Sequence, residues 1–283
     1  MDRSYQRILA PSILGLWPSG IELLPYALQL NGFLKGTASP RLVPFHLETF
    51  SGERASEHDV LNAQAIVDYS RQLADAVAEV RHQGSFPVVL GGDCSILFGC
   101  MLALKRKGTY GLVHIDAHAD FYGPESEPNG QAASMDLALV VGRGPDLLTN
   151  IDGQYPYTLE KHVVQIGQRD ADEAAKWGSD RIEDSNIRCF DLKTVHNEGI
   201  IPVLAKVKDH LLTENSRFWI HFDVDVLSDE IMPAVDYRLP GGLTFDEAST
   251  ILQTLMYCSL SQHIFIHQDI TCPTPLGSLQ VVE

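Results

Sequence analysis

Twice in this chain a five-residue run of four apolar residues and a histidine breaks off into metal-ligating side chains at two-residue spacing. Gly111-Leu-Val-His-Ile115 leads into Asp116-Ala-His-Ala-Asp120, and Phe218-Trp-Ile-His-Phe222 leads into Asp223-Val-Asp225. Runs this short and this apolar read as strands buried inside a sheet, which confines the chain to a fold whose sheet is covered by other layers. In an extended chain alternate side chains share a face. Asp116, His118 and Asp120 are therefore expected on one side just past the first strand, with Asp223 and Asp225 doing the same past the second. Acids gathered at one sheet edge raise each other's pKa unless a cation lies between them. Five such ligands suggest a site for one or two divalent ions, against the plainer reading of polar loops that happen to hold a histidine.

The rest of the chain alternates in the same way. Strands are expected at 8–16, 41–46, 86–90, 163–167 and 263–270, with helices at 20–30, 62–83, 96–107, 200–211 and 245–256. Residues 137–141 read as the core of either a helix or a strand. Strand–helix alternation predicts an α/β fold with a mostly parallel sheet and helices on both faces, and ligands in such sheets bind beyond the carboxyl ends of the strands. No repeat, low-complexity tract or linker divides the chain, so residues 1–283 are expected to form one domain.

Charge and cysteines narrow the partners and the compartment. With 21 Lys+Arg against 37 Asp+Glu the net charge is -16, which argues against nucleic-acid backbones and anionic membranes. Cys94, Cys100, Cys189, Cys258 and Cys272 are odd in number and irregularly spaced, as expected of reduced thiols in the cytoplasm. The N-terminus lacks a signal-peptide pattern and no stretch is long enough to span a bilayer.

With these residues located, the chain resembles the ureohydrolase family of arginases, agmatinases and formimidoylglutamases. Three blocks carry the resemblance over roughly residues 85–250. They are Gly91-Gly-Asp-Cys-Ser95, Asp116-Ala-His-Ala-Asp120, and Asp223-Val-Asp225 running on to Pro240-Gly-Gly-Leu-Thr244; Ile166-Gly-Gln-Arg-Asp170 and Met135-Asp-Leu-Ala-Leu139 are weaker matches. The resemblance implies a three-layer α/β/α arginase-like fold, assembly into homo-oligomers, and two Mn²⁺ ions per chain sharing a bridging hydroxide. Asp116 and Asp223 would bridge the ions, Asp120 would bind one, and His118 and Asp225 the other. It also implies a binuclear-manganese amidinohydrolase acting on linear C–N bonds other than peptide bonds, taking a small guanidino or formimidoyl substrate and releasing urea or formamide. Asp120 would double as the catalytic proton carrier, and Asp172 matches a position that contacts the substrate.

The pattern also breaks in places. Cys94 stands where the family usually gives a histidine to the first ion. Because a thiolate suits Mn²⁺ poorly, that ion is expected to bind weakly or to be Zn²⁺ or Fe²⁺. Either Cys94 ligates, its pKa lowered by the following helix N-terminus, or it is a neutral buried thiol. No histidine in 129–134 matches the arginase proton shuttle. Cys272 occupies the position of a guanidinium-binding Glu, with Asp269 on the opposite parity, and the final helix is missing before Glu283. His114 and His221 read as core or supporting residues, His263 and His267 as remote stand-ins for the shuttle, Asp93 as a loop brace and Ser95 as a helix cap. These breaks support a second functional reading: a catalytically impaired relative acting as a binding or regulatory protein.

Overall fold

The computed structural model describes residues 4–33, 38–54, 59–214 and 217–258, together with the backbone path of 261–267. In chain order the strands are β1 (Tyr5–Ala10), β2 (Arg41–Leu42), β3 (Phe86–Gly91), β4 (Gly111–Ile115), β5 (Val163–Ile166), β6 (Arg188–Phe190), β7 (Phe218–Asp223) and β8 (Ser261–His267). The helices are α1 (Leu24–Leu30), α2 (Ala63–His82), α3 (Ile96–Lys105), α4 (Asp136–Val140), α5 (Asp146–Thr149), α6 (Ala171–Lys176), α7 (Leu192–Glu198), α8 (Ile200–Thr213) and α9 (Phe245–Met256). The strands form one sheet in the order β2-β1-β3-β8-β7-β4-β5-β6, and every neighbouring pair is parallel.

Alternation along each strand sorts the core into two layers. On one face Leu112, Val163 and Trp219 meet Leu73 and Val77 of α2, Leu97 and Met101 of α3 and Leu137 of α4. On the other, Val113, Ile115, Ile220 and Phe222 meet Val203 and Val207 of α8 and Ile251 and Leu255 of α9. The result is the three-layer α/β/α arrangement with a parallel sheet that the alternation implied.

Local chemistry accounts for where elements fall short of their sequence-based bounds. Pro11, with no N–H to give the ladder, ends β1 well before residue 16, and Pro44 limits β2 to two residues. Of residues 137–141, 137–140 are helical, within α4, and Val141 is its C-cap. β6, α5, α6 and α7 are too short to carry a readable period. The last strand ends at His267; side chains from 261 on, and residues 268–283 with Asp269 and Cys272, lie outside the described residues. No helix among the described residues is long and apolar enough to cross a membrane.

The turn after β3 is the tightest junction in the sheet. Gly92 N–H donates to Ala10 O, Asp93 N–H donates to Ser12 O, and a Cβ on Gly92 would lie 1.7 Å from Ser12 O. Gly92→Ala must therefore push apart the β1 and β3 ends. It is expected to cost about 3 kcal/mol or more and lower Tm by roughly 10 °C, measurable by thermal melting.

Candidate metal centre

β4 and β7 are hydrogen-bonded neighbours in a register that places His114 opposite His221 and Ile115 opposite Phe222. Asp116 and Asp223 thus emerge side by side at the same sheet edge. Beyond them the chain turns instead of running on extended. Asp116 Oδ1 accepts a bond from His118 N–H at 2.7 Å, and Asp223 Oδ1 accepts one from Asp225 N–H at 2.8 Å. The two loops use one device, an aspartate that folds the chain back on itself over two residues. Asp120 has φ 47, a left-handed conformation that no strand supplies. Strand parity therefore brings Asp116 and Asp223 together, whereas His118, Asp120 and Asp225 are delivered by turns; the expectation of an extended run past Ile115 is corrected here.

The turns close on each other. Asp225 Oδ1 accepts from Ala117 N–H at 3.1 Å, and Asp225 Oδ2 lies 2.8 Å from His118 Nδ1. On the far side of Asp116, the Cys94 thiol donates to Asp223 Oδ2 at 3.6 Å. Asp116, His118 and Asp225 offer donor atoms mutually within 4.8 Å, as do Cys94, Asp116, His221 and Asp223, and as do His114, Asp116 and Asp120. The other five residues singled out as ligands in the sequence thus stand around Asp116. Two buried atoms there, Asp116 Oδ2 and His118 Nε2, make no hydrogen bond. Buried polar atoms in that condition are costly unless a cation or water meets them, and a donor set of carboxylates, imidazole and thiol suits a divalent ion. The residues present fit a pair of divalent cations, with the thiol of Cys94 the one donor that suits Mn²⁺ poorly.

Burial and like charge set the electrostatics. The Asp120 carboxyl is pushed well above the usual carboxylate range by burial and by the charges of Asp116 and Asp136. Burial opposes charge on His118, but Asp225 and Asp116 outweigh it and hold the imidazole's pKa well above its ordinary value. Asp116 moves the other way: burial is overcome by His118, His221 and His114, and its pKa lies below the ordinary one.

These directions fix a sign. Raised folded-state pKa values on Asp120 and His118 stabilise the metal-free fold at low pH, and that contribution is lost as pH rises above about 4 for Asp120 and about 6.5 for His118. A cation bound there would take the place of those protons. The rise in Tm on adding Mn²⁺ is therefore expected to grow from pH 5 to pH 8, with proton release on binding; a shift independent of pH in differential scanning fluorimetry would contradict it.

Supporting residues come from every side. Gln165 donates to the carbonyls of Asp116 and His118 at 3.1 and 3.2 Å. Arg169 N–H donates to Ala117 O, while its guanidinium donates to the carbonyls of Asp225, Val226, Leu227 and Leu239. The 240–244 block packs behind the second turn, with Gly242, at φ 133, so close that a Cβ would lie 2.3 Å from Leu227 O. Thr244 then opens α9 with a reciprocal capping box to Glu247. Asp93 braces its loop, accepting from Ser95 N–H at 2.8 Å, whereas the Ser95 side chain makes no capping bond to α3.

Three residues were undervalued in the sequence. Asp136 at the head of α4 is fully buried and lies 3.4 Å from His114, and His114 stacks on His221 with ring centroids 4.5 Å apart. The available signal was parity: 114 precedes 116, and 221 precedes 223, by the same two residues that define one strand face.

A cavity of about 350 Å³ opens over these groups, with Cys94, His118, Asp120, Asp223 and Asp225 in its floor. Glu127, Asp170, Glu173 and Asp236 contribute acids to its walls, with Tyr122, Trp177 and Tyr237, and no lysine or arginine is among the described lining residues. Asp172, by contrast, does not line it. Its side chain is 94% exposed on α6 and pairs with Arg181, because one helical step turns it away from the Asp170–Glu173 face. A larger cleft, about 750 Å³, runs past Pro44, Asn62 and Tyr69, but no metal-compatible donor group falls in it among the described residues.

A parallel α/β sheet with a cluster of carboxylates, imidazoles and a thiol under a cavity at its carboxyl edge is the plan of a protein that works through divalent cations at strand ends. The Arginase family model matches residues 38–275. An arginase of Bacillus caldovelox is 30% identical over 257 residues, covering 87% of this chain and 83% of the relative. The solved structure of arginase from Bacillus caldovelox matches with a TM-score of 0.84 at 26% identity, over 98% of this chain and 93% of that one. Arginase from Entamoeba histolytica, solved with L-ornithine, shares the fold with a TM-score of 0.82 at 22% identity, over 95% and 92%. The chain belongs to the arginase family of hydrolases.

Proposed function

We propose that this chain is a single-domain, cytoplasmic, metal-dependent hydrolase of linear C–N bonds in guanidino or amidine compounds, releasing urea or formamide. The observation that carries the reading is the convergence around Asp116 of His118 and Asp225 on one side and Cys94 and Asp223 on the other. Asp116 and Asp223 would be shared between two cations, Mn²⁺ at the His118–Asp225 side, with Asp120 and Cys94 completing the other. When bound, the ions supply positive charge and a water acidic enough to act as nucleophile at neutral pH.

The chain's own groups do the rest. Asp120, in the cavity floor beside the proposed cations, is placed to accept a proton from the attacking water and to return it to the departing amine nitrogen. The wall acids Asp170, Glu173 and Asp236 favour a cationic substrate over an anionic one, and Asp170 and Glu173 take the role expected of Asp172. L-Ornithine in the Entamoeba histolytica relative is a molecule of that size and amine character. The cavity volume suits one such small molecule. Cys94, Cys100, Cys189 and Cys258 carry thiols rather than disulfides, in keeping with a reducing compartment.

The test is turnover by Mn²⁺-reconstituted protein over a panel of arginine, agmatine, other guanidino acids and formimidoylglutamate, read as urea, formamide or ammonia. Release from one of them is the expected result; full metal occupancy with no release from any would make the chain a binding or regulatory relative. Cys94→His is expected to raise Mn²⁺ affinity about ten-fold or more, by titration calorimetry, because nitrogen suits Mn²⁺ better than sulfur. An unchanged affinity would mean that side chain 94 does not ligate.

A further inference from the structure

Position 94 offers sulfur where an imidazole would be expected, yet an imidazole stands on the other side of the same pocket. His221 lies on β7 two residues before Asp223, on the same strand face, and is fully buried. Its Nε2 is 3.7 Å from Asp116 Oδ2, the buried oxygen that accepts no hydrogen bond. Cys94 Sγ is 3.6 Å from Asp223 Oδ2, and the four donors of Cys94, Asp116, His221 and Asp223 fall mutually within 4.8 Å.

Those separations have a chemical meaning. At 3.7 Å, an imidazole nitrogen and a carboxylate oxygen are too far apart for a hydrogen bond. Around a tetrahedral ion with metal–sulfur distances of about 2.3 Å and metal–nitrogen or metal–oxygen distances of about 2.1 Å, sulfur–oxygen edges come to about 3.6 Å and nitrogen–oxygen edges to about 3.4 Å. Both separations in the pocket lie close to those values. The donor set of one thiolate, one imidazole and two carboxylates is borderline in softness, and all four residues are buried.

We propose that His221 supplies the nitrogen ligand of the first cation, in a four-donor set of Cys94, Asp116, His221 and Asp223 that selects Zn²⁺, Fe²⁺ or Co²⁺ over Mn²⁺. The inference rests on the reading of this pocket as a cation centre and changes it in one respect: His221 takes the place given above to Asp120 at the first cation, Asp120 keeps its role as proton carrier, and the preferred ion is specified. Strand β7 thereby does the work that the turn after β3 does not, and the second cation keeps its own imidazole, His118.

Metal-stripped full-length protein titrated with Co²⁺ is the test. Wild type is expected to bind two ions per chain, one with the near-ultraviolet absorption of a thiolate–cobalt bond. His221→Gln, which keeps a polar side chain at the same depth, is expected to lose that absorption and at least about 100-fold in affinity at one site, while the other is unchanged. His162→Gln, a buried imidazole that pairs with Glu214 away from the pocket, is the control and is expected to retain both. Equal loss in the two variants, or two tight sites and an unchanged spectrum in His221→Gln, overturns the assignment while leaving the cation centre intact. No uptake by wild type overturns the centre itself. X-ray absorption on wild type holding one equivalent of Zn²⁺ needs no variant: one sulfur with nitrogen and oxygen neighbours supports the set, and a shell without sulfur, or without an imidazole signature, contradicts it.

Discussion

Replacing Asp116 with asparagine is expected to strip the cations from the protein and to lower C–N hydrolysis by a factor on the order of 10³ or more. Asp116 is the residue common to the groups on both sides of the pocket, with His118 and Asp225 on one and with Cys94 and Asp223 on the other. Asparagine keeps an acceptor for His118 N–H, so the turn has no reason to open. What is lost is a negative charge and one ligating oxygen between two ions, whose mutual repulsion then goes uncompensated. Elemental analysis after dialysis and release of urea or formamide read the two effects, and a melting curve of the metal-free variant separates them from misfolding. Retention of two ions by this variant would remove Asp116 from the centre.

The second large effect is expected at Arg169, which touches no ligand side chain. Its backbone N–H holds Ala117 O in the first loop, and its guanidinium spans four carbonyls of the second, the shortest bond going to Asp225 O at 2.8 Å. Burial lowers its pKa even against the nearby acids, so the charge is kept in a largely dry place by those carbonyls. Arg169→Ala frees them together, costing about 3 kcal/mol and roughly 6–12 °C in Tm. The loops then lose their common anchor, and cation affinity is expected to fall roughly 10–100-fold, as when residues behind a metal ligand are removed. Lysine should not rescue, because one ammonium cannot reach four acceptors arranged for a planar fork. A variant with wild-type Tm and metal affinity would show that the loops are held by other means.

How far the site could be read in advance depended on what fixed each residue. Asp116 and Asp223 were legible because each ends an apolar strand, and a parallel register carries such positions to one edge. His118, Asp120 and Asp225 converge for a reason that spacing does not show: two aspartate-initiated turns and one left-handed residue place them, and neither is a property of an extended chain. Asp136 was missed because a single acid in Met135-Asp-Leu-Ala-Leu139 reads as the polar side of a helix, whereas α4 is buried all round. Asp172 sits on one short helix whose direction no pattern reveals; with α6 in place, Asp170 and Glu173 meet the cavity and Asp172 faces solvent. The strand–helix alternation survived almost intact, since long periodic segments such as α2 and α9 carry their own evidence, and three-residue β6 carries none.

Everything proposed for this chain depends on one pocket, built around Asp116, holding divalent cations between two strand ends. The most direct measurement is anomalous X-ray diffraction, collected at the Mn and Zn absorption edges, from crystals of the full chain grown with both metals. Two anomalous peaks flanking Asp116 are expected, one in contact with His118 and Asp225 and the other with Cys94 and Asp223. Ordered side chains at these positions with no anomalous density between them, or metal bound only elsewhere on the molecule, would contradict it.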